Sequence, residues 1–224
     1  TGLGNEAVTL TDGTLNDAEA GSDAAALNTL DGRTSGQINA ESVDSISGSL
    51  SDLNIAYSAP SAEITGLGNE AVTLTDGTLN DAEAGSDAAA LNTLDGRTSG
   101  QINAESVDSI SGSLSDLNIA YSAPSAEITG LGNEAVTLTD GTLNDAAALN
   151  TLDGSTSGQV NAESVGSISG SLSELNTAYS ASASQITGLG NEAVTLTDGT
   201  LDGTLNDAAA LNTLDGRTSG QINA

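Results

Sequence analysis

The sequence predicts a repeat solenoid, β-rich with short helices, whose stacked units of about 29 residues each run strand, turn, strand, helix and together build a parallel sheet. Three observations carry that expectation. First, adding 29 to Leu131, Glu134, Val136, Gly141, Thr142, Leu143 and Asp145 gives Val160, Glu163, Val165, Gly170, Ser171, Leu172 and Glu174, so aliphatic, glycine, hydroxyl and acid positions each fall on their own kind. Second, residues 1–64 and 65–128 are identical, which makes two repeat types alternate in a double module. Third, the insertions are confined to one place: repeats one and three carry six extra residues around Glu19-Ala20-Gly21-Ser22-Asp23-Ala24, and repeat seven carries four ahead of Thr204. A solenoid with a variable edge loop tolerates insertions of that kind.

The repeats run 1–35, 36–64, 65–99, 100–128, 129–157, 158–186 and 187–219, with a partial repeat at 220–224. They are expected to form a single continuous array over 1–224, each repeat touching only its neighbours. The chain starts and stops inside the pattern and contains no Met, so it reads as a slice of a longer array.

Within a repeat, Val8-Thr9-Leu10-Thr11 alternates apolar and hydroxyl residues as a half-buried strand does, and Asp12-Gly13 supplies a turn. A second short strand is expected around Leu3, or around Ile38 in the sister repeat. A hydroxyl followed by an acid three residues later marks helix starts at Thr14-Leu15-Asn16-Asp17 and Ser49-Leu50-Ser51-Asp52, and again at Thr78, Ser113, Thr142, Ser171 and Thr204. Leu143, Ala146, Leu149 and Leu152 then lie at helical spacing, with Asp153-Gly154 as the stop; Leu50, Leu53 and Tyr57 form the sister stripe. In repeats one and three Gly21-Ser22-Asp23 is expected to break a helix and cap it again. These aliphatics read as core, and the hydroxyls and acids at the helix starts as caps.

Composition removes several functions. With 31 acidic residues, three arginines (Arg33, Arg97 and Arg217) and no lysine, the formal charge is −28, a surface that repels nucleic acid and anionic lipid. No Cys or His is present, which takes away disulfides, thiolate ligands and the commonest metal ligand and general base. Carboxylate pairs or Tyr are left for catalysis, and since every Asp recurs in near-identical copies a unique cleft is hard to build. The expectation is no enzyme and no catalytic residues. No apolar run is long enough to span a membrane. An all-Thr ice-binding face is also not built, because the sister repeat has Asp44 and Ser45 opposite Thr9 and Thr11.

Calcium is the sharper alternative. Asp12, Asp17, Asp31, Asp44 and Asp52 recur up the array, and stacking brings like charges into ladders unless they are splayed, screened or bridged by hard cations. The candidate calcium ligands are Asp12, Asp31, Asp44, Asp76, Asp95, Asp108, Asp140 and Asp153. Neither the EF-hand spacing nor the Gly-Gly-x-Gly-x-Asp repeat occurs, so the competing reading is a solvated acidic surface suited to high salt.

The run Ile128-Thr129-Gly130-Leu131-Gly132-Asn133-Glu134, then Val136-Thr137-Leu138-Thr139-Asp140, Ala148-Leu149-Asn150-Thr151-Leu152-Asp153-Gly154 and Ser167-Ile168-Ser169-Gly170 resembles tandem repeats in giant cell-surface proteins of marine cyanobacteria and in fibre proteins of their phages. The resemblance implies an extracellular, non-enzymatic, array-forming protein and carries over no functional residue. The expected role is a segment of a filament, surface layer or adhesin stalk that self-associates head-to-tail or laterally. Two alternatives stand beside it: an adhesion module binding calcium, a cell-surface glycan or another surface protein, and a phage fibre shaft.

Overall fold

A computed structural model describes residues 4–15, 22–59, 63–79, 86–123, 127–181, 185–199 and 205–224, Leu205 and Asn206 by backbone alone. The expectations for Leu3, for Asn16 and Asp17, for Gly21, for the Asn80-Asp81 pair after Thr78 and for Thr204 lie outside the described residues. Among those described, seven short helices alternate with strands of two to four residues: α1 Asp23–Asp31, α2 Leu50–Ser58, α3 Asp87–Asp95, α4 Leu114–Ser122, α5 Ala146–Ser155, α6 Leu172–Ser180 and α7 Leu205–Asp215. The chain forms two compact blocks, Thr1–Asp108 with Ala123–Leu131 and Ser109–Ser122 with Gly132–Ala224. Each block is a β-rich solenoid of stacked repeats in which every described strand pair is parallel.

The strands form because alternate side chains can be buried on one face. Val72 and Leu74 are buried while Ala71 and Thr73 are exposed, and the same pattern recurs in Ala135–Leu138 and Ala193–Leu196. In the sister strand Ser45–Gly48, Ile46 and Gly48 point inward. Gly48 is a packing requirement, since a Cβ there would sit 2.7 Å from the Ala24 Cβ of the neighbouring helix. Behind the strands the helices lie side by side, α1 on α2 on α3 in one block and α4 on α5 on α6 on α7 in the other. Leu50, Leu53 and Ala56 of α2 and Ala146, Leu149 and Leu152 of α5 fill the space between the layers.

The ladder register is where the structure departs from the sequence. A 29-residue offset would set Val136 against Val165 and Leu131 against Val160; the structure pairs Val136 with Val160 instead, and with Ile110 on the other side. Among the described residues the fifth repeat has three strands and the sixth two. In the fifth repeat the strands are Ile128–Thr129, Ala135–Leu138 and Thr142–Leu143; in the sixth they are Val160–Asn161 and Ser167–Gly170. The third, fifth and seventh repeats pair their first two strands with the even repeat before them, as Thr65 with Asn39 and Val72 with Ile46. The fifth repeat pairs its last two strands with the even repeat after it, as Val136 with Val160 and Leu143 with Ile168. The ladder therefore steps sideways by one strand per double module. The step gives all three strands of the fifth repeat at least one partner, which their backbone donors and acceptors require.

Three further expectations are corrected. Thr142 caps nothing: it lies in a strand opposite Ser167, Leu143 with it, and Asp145 is the N-cap of α5, its carboxylate accepting from the Ala148 N–H. Thr14 likewise sits in a parallel bridge to Ser45. Ser49 and Ser171 do cap as expected, and Ser171 with Glu174 forms the full reciprocal box, whereas Asp52 is too short for it and accepts the Ser49 hydroxyl instead. The second strand expected around Ile38 is present as Ile38–Asn39; in the third repeat the first strand is Ile64–Thr65, and Leu67 lies between Gly66 (φ +90) and Gly68 (φ +139), conformations other residues rarely adopt. Finally, α5 runs through Gly154 to Ser155, while Gly32 and Gly96 do stand as the C-caps of α1 and α3.

Candidate functional site

The eight candidate calcium ligands fall into three environments. Asp76 and Asp140 are half-buried and each caps the helix of the preceding repeat: Asp76 Oδ2 accepts from the Leu50 N–H at 2.6 Å, and Asp140 Oδ2 from the Leu114 N–H at 2.6 Å. Asp198 does the same for Leu172. The first N–H groups of a helix have no partner within it and carry its positive dipole end, so a carboxylate from the next coil serves both needs. Asp12, in the first repeat, is exposed.

Asp31, Asp95 and Asp153 lie in the last turns of α1, α3 and α5. Burial raises the carboxyl of Asp153 above the usual range; for Asp95 burial is joined by the charge of Glu127. A carboxylate at a helix C-terminus also opposes the dipole. Asp44 and Asp108 are exposed in turns whose backbone N–H groups donate to the carbonyls of Gly13 and Gly77. The sixth repeat has Gly166 at that position. Among the described residues, no three His, Cys, Asp or Glu side chains come together as a metal site.

The structure brings together a set of residues that the 29-residue alignment obscured. Glu134 is 0% exposed, and its carboxylate accepts from the Tyr121 hydroxyl at 2.7 Å and from the Gly132 N–H at 2.8 and 2.9 Å. Glu70 with Tyr57 and Glu192 with Tyr179 repeat the arrangement, and in both the next backbone N–H also donates. No basic residue is paired with these carboxylates in the contacts described; amide donors and a phenol hold them, an anion nest built by a glycine turn. The phenols respond: burial first, then the hydrogen bond to Glu and its charge, push Tyr57, Tyr121 and Tyr179 well above the ordinary tyrosine value. Glu163, which the alignment equates with Glu134, is exposed. The signal in the sequence is the constant 13-residue spacing of Tyr57 to Glu70, Tyr121 to Glu134 and Tyr179 to Glu192.

A third device links the helices. Asn28 Nδ2 donates to the Asp52 carbonyl, Asn54 to Ala90, Asn118 to Ala148, Asn150 to Glu174 and Asn176 to Ala210, so each of these helices is tied to the next. In the longer odd repeats Ser22 caps α1, which frees the Asp23 carboxylate to bind the backbone N–H and hydroxyl of Ser47 at the open edge of its strand. Between α4 and α5 a groove of about 740 Å³ is bordered by Leu114, Asn118, Ile119, Asp140, Asp145 and Thr151. A similar groove of about 680 Å³ lies between α6 and α7, where Thr177 replaces the half-exposed Ile119.

Each buried glutamate thus accepts from the glycine turn of its own coil and from a tyrosine of the coil before it, and the tyrosine bond joins the two coils. No described helix is long and apolar enough to cross a membrane. In comparisons with known proteins, no protein family, no curated protein and no solved structure matches the chain.

Proposed function

We propose that the chain is a non-enzymatic structural segment of an extracellular surface protein, one that spaces or assembles a filament, surface layer or adhesin stalk by the stacking of repeats. One observation supports this reading above the rest. Wherever an even helix meets the next odd coil, the same three hydrogen bonds recur: a helix N–H to Asp, an Asn to an Ala carbonyl and a Tyr to Glu, as at Leu114, Asn118 and Tyr121 and again at Leu172, Asn176 and Tyr179. The conspicuous buried polar chemistry of these repeats goes into joining one coil to the next. Self-association, and contact with a surface glycan or another surface protein, belong to the repeated exposed face. That face is strongly acidic and repels like surfaces until salt screens it.

Electron microscopy of the purified chain, at seawater-like and low ionic strength and with or without a calcium chelator, tests the proposal. Uniform rods or fibres that survive chelation are expected. Objects that fall apart on chelation would favour the calcium-binding alternative, and obligate trimers in sedimentation would favour the fibre shaft.

A further inference from the structure

We propose that the groove between α4 and α5 is a docking site for a cationic segment of another protein, one that carries an arginine beside an aliphatic residue. The site lies in the interior of the array and goes beyond the structural role, since the repeats stack in the same way whether or not it is filled.

Even helices meet the odd helices that follow them at three comparable junctions, α2 with α3, α4 with α5 and α6 with α7. At the first, Arg97 Nη1 donates to the Asn54 backbone carbonyl at 2.9 Å and to Asn54 Oδ1 at 3.3 Å. At the third, Arg217 Nη1 donates to the Asn176 carbonyl at 2.9 Å. The fifth repeat has Ser155 at the matching position, in Asp153-Gly154-Ser155-Thr156 against Asp95-Gly96-Arg97-Thr98, and no basic residue stands between Arg97 and Arg217. Ser155 turns its hydroxyl onto the Thr151 carbonyl of its own helix. The frame around it is otherwise kept. Asn118 Nδ2 donates to the Ala148 carbonyl as Asn54 does to Ala90, and the Ser157 N–H donates to Gly132 as that of Ser99 does to Gly68. The seat for a guanidinium is thus built at Asn118, and the chain's own arginine is missing from it.

The surroundings select the rest of the ligand. The groove, of about 740 Å³, has Leu114, Ile119 and Leu143 along its wall, and Ile119 is 54% exposed. The counterpart of Ile119 in α6 is Thr177, so of the three junctions α4 with α5 combines an isoleucine with a missing arginine. Asp140 and Asp145 border this groove with no basic residue beside them, whereas Arg217 stands with Asp198 and Asp207 in the groove between α6 and α7. An arginine with an aliphatic neighbour complements such a wall, its planar fork reaching a carbonyl and a carboxylate together. Another copy of this chain does not fit. It carries a charge of −28, and each of its arginines follows an acid by two residues, Asp31, Asp95 or Asp215.

A blocked peptide of three Leu-Arg-Gly triplets, titrated by calorimetry at about 0.15 M NaCl to screen loose surface attraction, tests the site. One peptide per chain is expected. Ser155→Arg, which restores the arginine of the sister junctions, should weaken binding by about tenfold or more. Gln159→Arg adds the same charge at an exposed position outside the groove and should change affinity by less than about twofold. Ile119→Thr, which installs the residue of α6, should weaken binding by about three- to tenfold. Lysine in place of the peptide's arginines should cost about threefold or more. A Ser155→Arg or Ile119→Thr chain that binds like the parent, several peptides per chain, or an equally tight lysine peptide would each overturn the proposal, leaving a general attraction of opposite charges. Displacement of the peptide by about 1 mM calcium would reject it in favour of a metal ion, and self-association abolished by Ser155→Arg would reject it in favour of a second copy. Circular dichroism of every variant should match the parent, so that failure of the docking site leaves the structural reading standing.

Discussion

Glu134→Gln and Glu163→Gln form a paired test of the coil junction. The two glutamates occupy the same position in the 29-residue alignment, yet one is fully buried and the other exposed. At Glu134 the substitution keeps the volume and removes the charge. It turns an oxygen that accepts from Gly132 or Tyr121 into an NH₂ facing a donor, so at least one charge-assisted hydrogen bond is lost and a second weakened. At about 1.5–3 kcal/mol for a hydrogen bond to a charged group, less what the neutral amide regains in desolvation, the expected cost is about 2–4 kcal/mol. Glu163→Gln should stay within about 0.5 kcal/mol of the parent. Urea unfolding followed by circular dichroism reads both. Because a repeat array need not unfold in two states, amide exchange of the Gly132 and Val136 N–H groups gives the local value. Equal effects at the two positions, or a Glu134→Gln chain as stable as the parent, would refute the assignment of Glu134 as the buried anchor.

Further outcomes follow from the same geometry. Gly158→Ala should destabilise by about 1–3 kcal/mol or block folding of its repeat, since the added Cβ overlaps the Glu134 carbonyl; Gly199→Ala, with open space around it, should not. Asp140→Ala removes the cap of α4 and should cost about 0.5–2 kcal/mol, measured by thermal melting with loss of exchange protection at Leu114. Stability should fall as pH rises through about 10, because the unfolded chain releases phenolic protons there while the folded chain, with its tyrosines raised, retains them; replacing Tyr57, Tyr121 and Tyr179 by Phe should flatten the pH–stability curve in that window. Asp153 is raised, so its ionisation counts against the fold above the ordinary carboxylate range: Asp153→Asn should gain stability at pH 7 and none at pH 3.

Local chemistry was legible at the level of one repeat. Alternation in Val-Thr-Leu-Thr marked the half-buried strand, the helical spacing of Ala146, Leu149 and Leu152 marked the inner face of α5, and Ser49 and Ser171 stood out as caps. Each depends on neighbours in sequence, which a single chain displays directly. The cap at Thr142 misled because the same hydroxyl-then-acid spacing fits a strand followed by an Asp cap. Choosing between them depends on whether a parallel partner, here Ser167–Ile168, lies alongside. The candidate calcium residues were found as recurrent acids, but recurrence does not distinguish Asp140, which caps a helix from the next coil, from the exposed Asp108.

The sequence by itself determined that this protein is an array: the period, the alternation of two repeat types, the strand, turn and helix content and the acidic surface all follow from composition and spacing. The tertiary structure decided which atoms meet between coils. Whether Val136 faces Val160 or Val165, which of two aligned glutamates is buried against a tyrosine, and how three strands share partners with two are set by contacts 13 to 26 residues apart, at a register that backbone satisfaction selects and side-chain identity leaves open.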